Sequence, residues 1–379
     1  MYSETAGGTT KAAILIDADS LTEFVALVFE RAGLPADDAA IVADCFVDAE
    51  IRGITTHGVS RLPVYVDALR RGFCQARPVI TVHRTSHATA VVDGGDGMGT
   101  LVAIRGMREA IALAKMSGIG MVAVHNTNNF GHAGYYAALA AADGCIGIAL
   151  SNSCPAIAPY GGCQPMLGTN PIAVAAPGGD RPDFRLDISS SVVSRGWLRL
   201  AARHNEPIPA GLAVTRDGAP ARTAQEALSG VLLPFAGHKG SGIAMAIDLL
   251  AGVLAGAGFG ARVRSMYAPG ETRGDVGHAL IAIRLSAFLS HSDYERRYGA
   301  WHDALKASAP AQGHDVVRIP GERSAAHARK QRREGVRIDG ETWQLLMRLA
   351  AEFDLSLTRS EPLDVVASAQ PAGSRVVAS

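Results

Sequence analysis

The sequence predicts an α/β protein. Apolar runs with strand character alternate with amphipathic helical runs between residues 88 and 285. Further helical runs bracket that region at both ends of the chain. The 42 glycines are spread along the 379 residues, as a turn-rich α/β enzyme requires. At roughly 150 residues per domain the length allows two or three domains.

The elements follow in order. Ser20, Leu21, Thr22 and Glu23 form a capping box that opens a first helix, and Gly33 is placed to stop it. Residues 37–52 form a second helix, with Ile41, Val42, Cys45, Phe46 and Ala49 on one face. A third covers 61–71 and ends at Gly72. Strands are expected at 88–93, 118–126, 145–153, 171–177, 184–188 and 279–285. Helices are expected at 101–116, 135–142, 238–254, 292–307 and 340–353. Beyond Glu361 the pattern is lost, and residues 361–379 read as a loose tail. No internal repeat is visible.

Composition excludes several classes. With 48% hydrophobic and 19% charged residues, the chain has material for a large core and is not disordered. Lys+Arg and Asp+Glu are both 36, so the basic excess of a nucleic-acid or anionic-membrane binder is missing. The five cysteines, Cys45, Cys74, Cys145, Cys154 and Cys163, are odd in number and lack a C-x-x-C. That argues against a disulfide framework and against a metal site, and for reduced thiols in the cytoplasm. The N-terminus has no apolar signal core. The long apolar stretch 242–261 carries Asp248, so it reads as a buried helix and not a membrane span.

The glycine run Gly95–Gly99 follows a strand and opens a helix, as a phosphate loop does. Its spacing is G-x-G-x-G, and no acidic residue follows about twenty positions on, so an ordinary dinucleotide loop does not fit. Gly237, His238, Lys239, Gly240 and Ser241 share part of a Walker loop without its first glycine. Lys239 at a helix start can still hold a phosphate. Arg323, Arg329, Lys330, Arg332 and Arg333 form a basic cluster, either a solvated helix face or a phosphate site.

Three polar clusters could carry chemistry. Thr55 to Arg61 holds His57, able to transfer protons near neutrality, with the Thr56 hydroxyl beside it. Arg61 offers a guanidinium for a carboxylate. His125 to Gly134 follows a buried strand and opens a helix, where α/β sheets place ligand-binding residues. The third runs Pro159-Tyr160-Gly161-Gly162 and then Leu167-Gly168-Thr169-Asn170-Pro171.

In order, the chain shows T-H-G-V-S-R, H-N-x-x-N-F-G, P-Y-G-G, L-G-T-N-P-I-A, L-D-I-S-S-S-V-V-S-R-G and L-P-F-A-G-H-K-G-S. This series resembles the malate/L-lactate dehydrogenase family of NAD(P)-dependent oxidoreductases over residues 20–353. The resemblance implies a non-Rossmann, sulfolactate dehydrogenase-like α/β fold with a helical domain built from both chain ends. Residues 11–118 with 290–360 would be helical and catalytic, and 119–289 would bind NAD or NADP. It also implies a homodimer and a small 2-oxo or imino acid substrate. His57 and Thr56 would be catalytic. Arg61, Thr169 and Arg195 would bind substrate. Asn129, Phe130, Gly131, His132 and Ala133 would bind cofactor, as would Asp187, Ile188, Ser189, His238 and Lys239. Gly321, Glu322 and Arg323 match a late P-G-E segment that closes over the cofactor.

The chain departs from the family at three positions. Thr56 stands where Ser is usual. Asn129 stands where many members have a histidine, and asparagine cannot titrate. Trp197 follows Arg195-Gly196, where hydroxy-acid enzymes have Lys and the imino-acid reductases have Asp. These changes predict a pocket richer in apolar contact and poorer in charge. A carbonyl needs a positioned acid as hydride arrives, whereas an imine can be protonated beforehand. The expected reaction is therefore reduction of a cyclic imino acid or related 2-imino or 2-oxo acid. The alternatives are a malate- or lactate-like 2-hydroxy-acid dehydrogenase, and a member with weakened catalysis that binds nucleotide without turnover.

Overall fold

The structure, a computed structural model, describes residues 14–203, 206–266, 270 and 273–360. Residues 11–13 of the first expected domain and the expected tail at 361–379 lie outside the described residues.

Three helices open the chain after a short strand β1 (Ile14–Ile16): α1 (Ala18–Arg31), α2 (Ala36–Ile51) and α3 (Leu62–Arg70). Asp17 caps α1, its side chain accepting from Ser20 N–H at 2.9 Å, so the helix starts one turn before the expected capping box. Far along the chain, β11 (Val336–Ile338) pairs antiparallel with β1, and α11 (Gly340–Phe353) packs beside α1. Both chain ends therefore share one core, which includes Phe24, Phe29, Phe46, Trp343 and Leu346.

The second core lies on a seven-stranded sheet. Its strands are β2 (Thr81–Arg84), β3 (Thr89–Gly97), β4 (Ile119–Thr127), β5 (Cys145–Ser151), β6 (Ile172–Ala176), β7 (Phe184–Ile188) and β10 (Val276–Arg284). The spatial order is β2-β3-β4-β10-β5-β6-β7. Only β3 and β4 run parallel; every other neighbouring pair is antiparallel. The side-chain period of two divides the sheet cleanly. Val122, Val124, Ala149, Ala173 and Leu280 face helices α4 (Gly99–Ser117) and α5 (Ala133–Ala142). Met121, Ile148, Leu150, Ile172 and Ala279 face helix α8 (His238–Asp248), which continues as a π-helical turn, Leu249–Val253.

A small third cluster gathers the helices α6 (Arg195–Arg203) and α7 (Ala224–Ser229) with the two-stranded pair β8 (Ala213–Val214) and β9 (Val231–Leu232). Trp197 packs there, partly buried. Helices α9 (His291–Ala307) and α10 (Glu322–Glu334) complete the order.

The glycine run at 95–99 is not a loop around a phosphate. Residues up to Gly97 continue β3, and Gly99 begins α4 hard against the next segment. A Cβ at Gly99 would lie 2.0 Å from Asn128 O. Chain, not ligand, covers that helix start. Among the described residues, no helix is long and apolar enough to cross a membrane.

Candidate active site

Helix α2 bridges the two large cores: Phe46 belongs to the helical one and Cys45 to the one on the sheet. The chain leaves α2 through two 3-10 turns, Thr55–His57 and Val59–Arg61, and so delivers His57 and Arg61 at this junction. A buried carboxylate sets the turn. Glu50, 5% exposed, accepts from Val59 N–H at 3.0 Å. Gly58 lies directly over it, where a Cβ would come within 2.0 Å of Glu50 Oε2. Burial raises the Glu50 carboxyl to about 7, opposed by the Val59 hydrogen bond and reinforced by Asp339.

The His57 ring keeps an accessible edge, and its Nδ1 is 3.1 Å from Thr56 Oγ1. Crowding by protein on its other sides pushes its pKa down; the charges of His132 and Arg61 act the same way, and Asp187 opposes them. Water at the accessible edge moderates the shift, but every one of these effects except Asp187 favours the neutral ring at pH 7. Arg61 is half-buried, and desolvation lowers its pKa from a value so high that it stays charged.

His132 lies behind this turn, 4% exposed, with Asp48 3.5 Å from Nε2 and Asp187 3.7 Å from Nδ1. Desolvation disfavours its charge, but Asp187 and Cys45 outweigh it and raise the pKa to about 10. Neither nitrogen has hydrogen-bond geometry, so the attraction is that of an ion between two carboxylates. Asp48 is also held by Arg52 at 2.7 Å, and Asp187 accepts from Gly134 N–H at 2.8 Å. His132 thus ties α2 to β7 and contributes to the site through charge.

Other residues of the segment 129–133 are also buried. Phe130 is buried, stacked 4.7 Å from Tyr136 and 4.4 Å from His278, and Ala133 is buried too. Cofactor contact expected from this segment would run through its backbone, Gly131 and the partly exposed Asn129. Asn129 is not idle: its Oδ1 accepts from Tyr65 OH at 2.8 Å and from Gly131 N–H at 3.0 Å.

Thr169 is joined to the same region through backbone. Its N–H donates to Ser153 Oγ at 3.1 Å, and its carbonyl accepts from Ser190 N–H at 2.8 Å. The following Asn170 is fully buried, holding Ser153 N–H through Oδ1 and donating to Ala244 O in α8. Arg195 opens α6 and is exposed. The next residue, Gly196, packs on the Thr55–His57 turn, since a Cβ there would lie 2.7 Å from Thr56 Cγ2. The structure therefore brings Thr56, His57, Arg61 and Arg195 to one place.

Ile188 and Ser189 are exposed at the end of β7, with Ser189 Oγ 3.1 Å from Ser191 Oγ. His238 and Lys239 are exposed in the first turn of α8, and the Tyr160 ring stands 5.8 Å from His238. A dinucleotide fits this donor set: a cationic helix start for phosphates and exposed ring and aliphatic faces for its bases. Gly321 is left-handed and docks on β7, where Arg185 N–H donates to Pro320 O at 3.0 Å. Glu322 is already engaged, accepting from Lys306 Nζ at 2.9 Å and Ile319 N–H at 3.2 Å. Arg323 is exposed beside it.

Sequence reasoning missed Glu50, Tyr65 and Asp48. A carboxylate near the end of an otherwise apolar helix face was the available signal for Glu50. It also missed Arg262, Arg264 and Arg273, which line a recess of about 800 Å³ with Arg195 and Cys154. Trp197 packs against the small third cluster, and arginines line the recess that Arg195 enters. Among the described residues no group of three or more His, Cys, Asp or Glu is placed to hold a metal ion.

The chain and its fold have known relatives. A family model described as malate/L-lactate dehydrogenase matches residues 16–347. The chain is similar to an L-sulfolactate dehydrogenase of Methanocaldococcus jannaschii, 40% identical over 332 residues, covering 87% of this chain and 94% of that one. That organism's sulfolactate dehydrogenase structure superposes with a TM-score of 0.85 at 38% identity, covering 90% and 98% of the two chains. A malate/(S)-sulfolactate dehydrogenase of Methanothermus fervidus is 37% identical over 347 residues, 91% of this chain and all of that one. The Δ1-piperideine-2-carboxylate reductase structure from Pseudomonas syringae has a TM-score of 0.79 at 27% identity, covering 89% and 99%. Among other relatives, one name carries NAD(+) and another NADP(+).

Proposed function

The chain belongs to the malate/L-lactate dehydrogenase family and is an NAD(P)-dependent oxidoreductase; from that premise we propose that it interconverts a 2-hydroxy acid and the matching 2-oxo acid. The observation that carries this reading is the meeting of Thr56, His57, Arg61 and Arg195 at the junction of the two large cores. The cyclic-imine preference expected from the sequence has weaker support. The reductase of that chemistry is 27% identical to this chain, against 40% and 37% for the sulfolactate and malate/sulfolactate enzymes.

When bound, the nicotinamide supplies the acceptor for hydride leaving the hydroxyl-bearing carbon. The chain supplies the rest. Lys239 and the N–H groups opening α8 hold the cofactor phosphates, with Ile188 and Ser189 beside them. Arg61 binds the substrate carboxylate as a two-pronged donor. His57, neutral near pH 7, accepts the hydroxyl proton as the carbonyl forms, so the oxidation proceeds without a free alkoxide. Asp187 and the Thr56 hydroxyl stabilise the imidazolium that results. Asn129 positions: it fixes Tyr65 and the Gly131 turn.

We also propose two units, with the sheet unit beginning at Thr81 and not at residue 119, because β2, β3 and α4 share the sheet and its core. A homodimer is supported by Met245, Leu249 and Val253, exposed at intervals of four along α8 and its π-helical extension. Five unpaired cysteines accord with a reducing cytoplasm.

The test is nicotinamide absorbance with both cofactors. Malate, lactate and sulfolactate would be offered in one direction, their 2-oxo acids and the two cyclic imines in the other. Turnover of 2-hydroxy acids is expected. Turnover confined to the cyclic imines would refute the reading.

A further inference from the structure

We propose that the arginine-lined recess that Arg195 joins to the Thr56–His57 turn is a subsite for a second anionic group of the substrate, carried on an arm longer than that of malate, and that Arg262 and Arg273 set this specificity. The proposal rests on the 2-hydroxy-acid reading above.

The recess measures about 800 Å³, and its lining includes Arg195, Arg262, Arg264 and Arg273 but a single carboxylate, Asp275. Its place in the fold is defined from two sides. Arg195 directly precedes Gly196, which abuts Thr56 and hence the catalytic turn. Cys154 directly follows Ser153, whose hydroxyl receives the Thr169 N–H at 3.1 Å. The recess is therefore one residue removed from the turn that carries His57 on one side and from the partner of Thr169 on the other.

The loop that carries three of its arginines is held in place. The Arg262 guanidinium lies 4.8 Å from the Phe259 ring centroid. The turn that carries it, Gly260–Arg262, is anchored where Gly260 N–H donates to Asp248 at 3.0 Å. Arg264 N–H donates to Gly274 O at 2.9 Å, which clamps the two arms of the loop and brings Arg262 and Arg273 to one opening. No ion pair among the described residues engages Arg195 or Arg273.

Arg61 suffices for the carboxylate next to the reacting carbon. A monocarboxylate such as lactate would leave the recess with nothing to neutralise. A second anion on the same molecule would meet charge-assisted donors. Pockets of roughly 300–1,000 Å³ hold drug-sized ligands, so this recess exceeds what a four-carbon diacid fills.

The experiment measures kcat/KM for oxaloacetate, 2-oxoglutarate and 2-oxoadipate against the uncharged-arm comparators 2-oxopentanoate and 2-oxohexanoate, in both cofactors. The proteins are the wild type, Arg262→Gln, Arg273→Gln and the double variant. Both arginines are exposed, so the core is undisturbed, and the ratio of diacid to monoacid within one preparation cancels any inactive fraction. The wild type should prefer diacids, most strongly the two longer ones, and each variant should lower that ratio about 10- to 100-fold, the usual worth of a charged hydrogen-bonded contact. Equal use of diacids and monoacids, or a ratio unchanged in the variants, would overturn the subsite while leaving the 2-hydroxy-acid reading intact. A maximum at oxaloacetate would overturn the longer arm. No turnover of any 2-oxo acid would overturn both readings.

Discussion

Glu50 makes the His57 turn pH-sensitive. Its carboxyl rises from 4.5 to about 7 on folding, because the buried charge is desolvated. In the unfolded chain it ionises first, so between pH 4.5 and 7 the folded state holds more protons. Stability from this group is therefore full below pH 4.5, already declines at pH 5, and keeps falling as pH rises through about 7. The shift corresponds to about 3 kcal/mol. Glu50→Gln keeps an oxygen to accept the Val59 N–H and cannot ionise. Relative to wild type, the variant should gain about 3 kcal/mol between pH 4 and pH 8. Urea unfolding of both proteins at several pH values reads this directly, and the difference cancels groups common to both. A stability difference that does not change with pH would show that Glu50 is ionised throughout and that the turn rests on an ion. Glu50→Ala should behave differently. It leaves the Val59 N–H without its partner and space beneath Gly58, so the His57 turn loosens and kcat falls.

Three further outcomes are expected. Arg61→Lys replaces a two-pronged donor with a point charge, so KM for the acid should rise and kcat/KM should drop by tenfold or more, on the order of one charged hydrogen bond; unchanged kinetics would remove Arg61 from the site. Lys239→Ala should weaken cofactor binding in calorimetry without lowering thermal stability, because the side chain is exposed; equal affinity would exclude a cofactor role. Asn129→Ala should cost about 1–2 kcal/mol by stranding the buried Tyr65 hydroxyl, and Tyr65→Phe in the same chain should restore part of that loss; additive losses would mean the two side chains act separately.

Much of the architecture was legible in the chain. The strand at Phe184–Ile188 and the helix at Gly340–Phe353 match the expectation residue for residue, because each has a clear period and a clear stop. Short elements escaped. β1 and β11 have three residues each, too few for any period, and their pairing depends on a partner more than 300 positions away. The site motifs around His57 and Thr169 were visible as dense polar runs. What surrounds them was not. Side-chain direction decides that Phe130 turns into the core and that Trp197 leaves the recess to the arginines, and neither direction is written in local sequence. The arginines at 262, 264 and 273 share a recess only because a loop folds back on itself.

The strand order also governs how this protein is made. β10 lies between β4 and β5, yet emerges from the ribosome long after both: His278, in its ladder, contacts Ser151, 127 residues earlier. Until then β4 and β5 each present an open edge, rich in valine, isoleucine and alanine, to whatever else is nearby. Closure of the sheet must wait for that late strand, and closure of the helical core waits longer still for β11 and α11. Folding is thus dominated by distant pairings that are slow to form and easily intercepted. A nascent chain arrested before residue 276 should expose both edges and depend on chaperones, while one extended past 353 should release them.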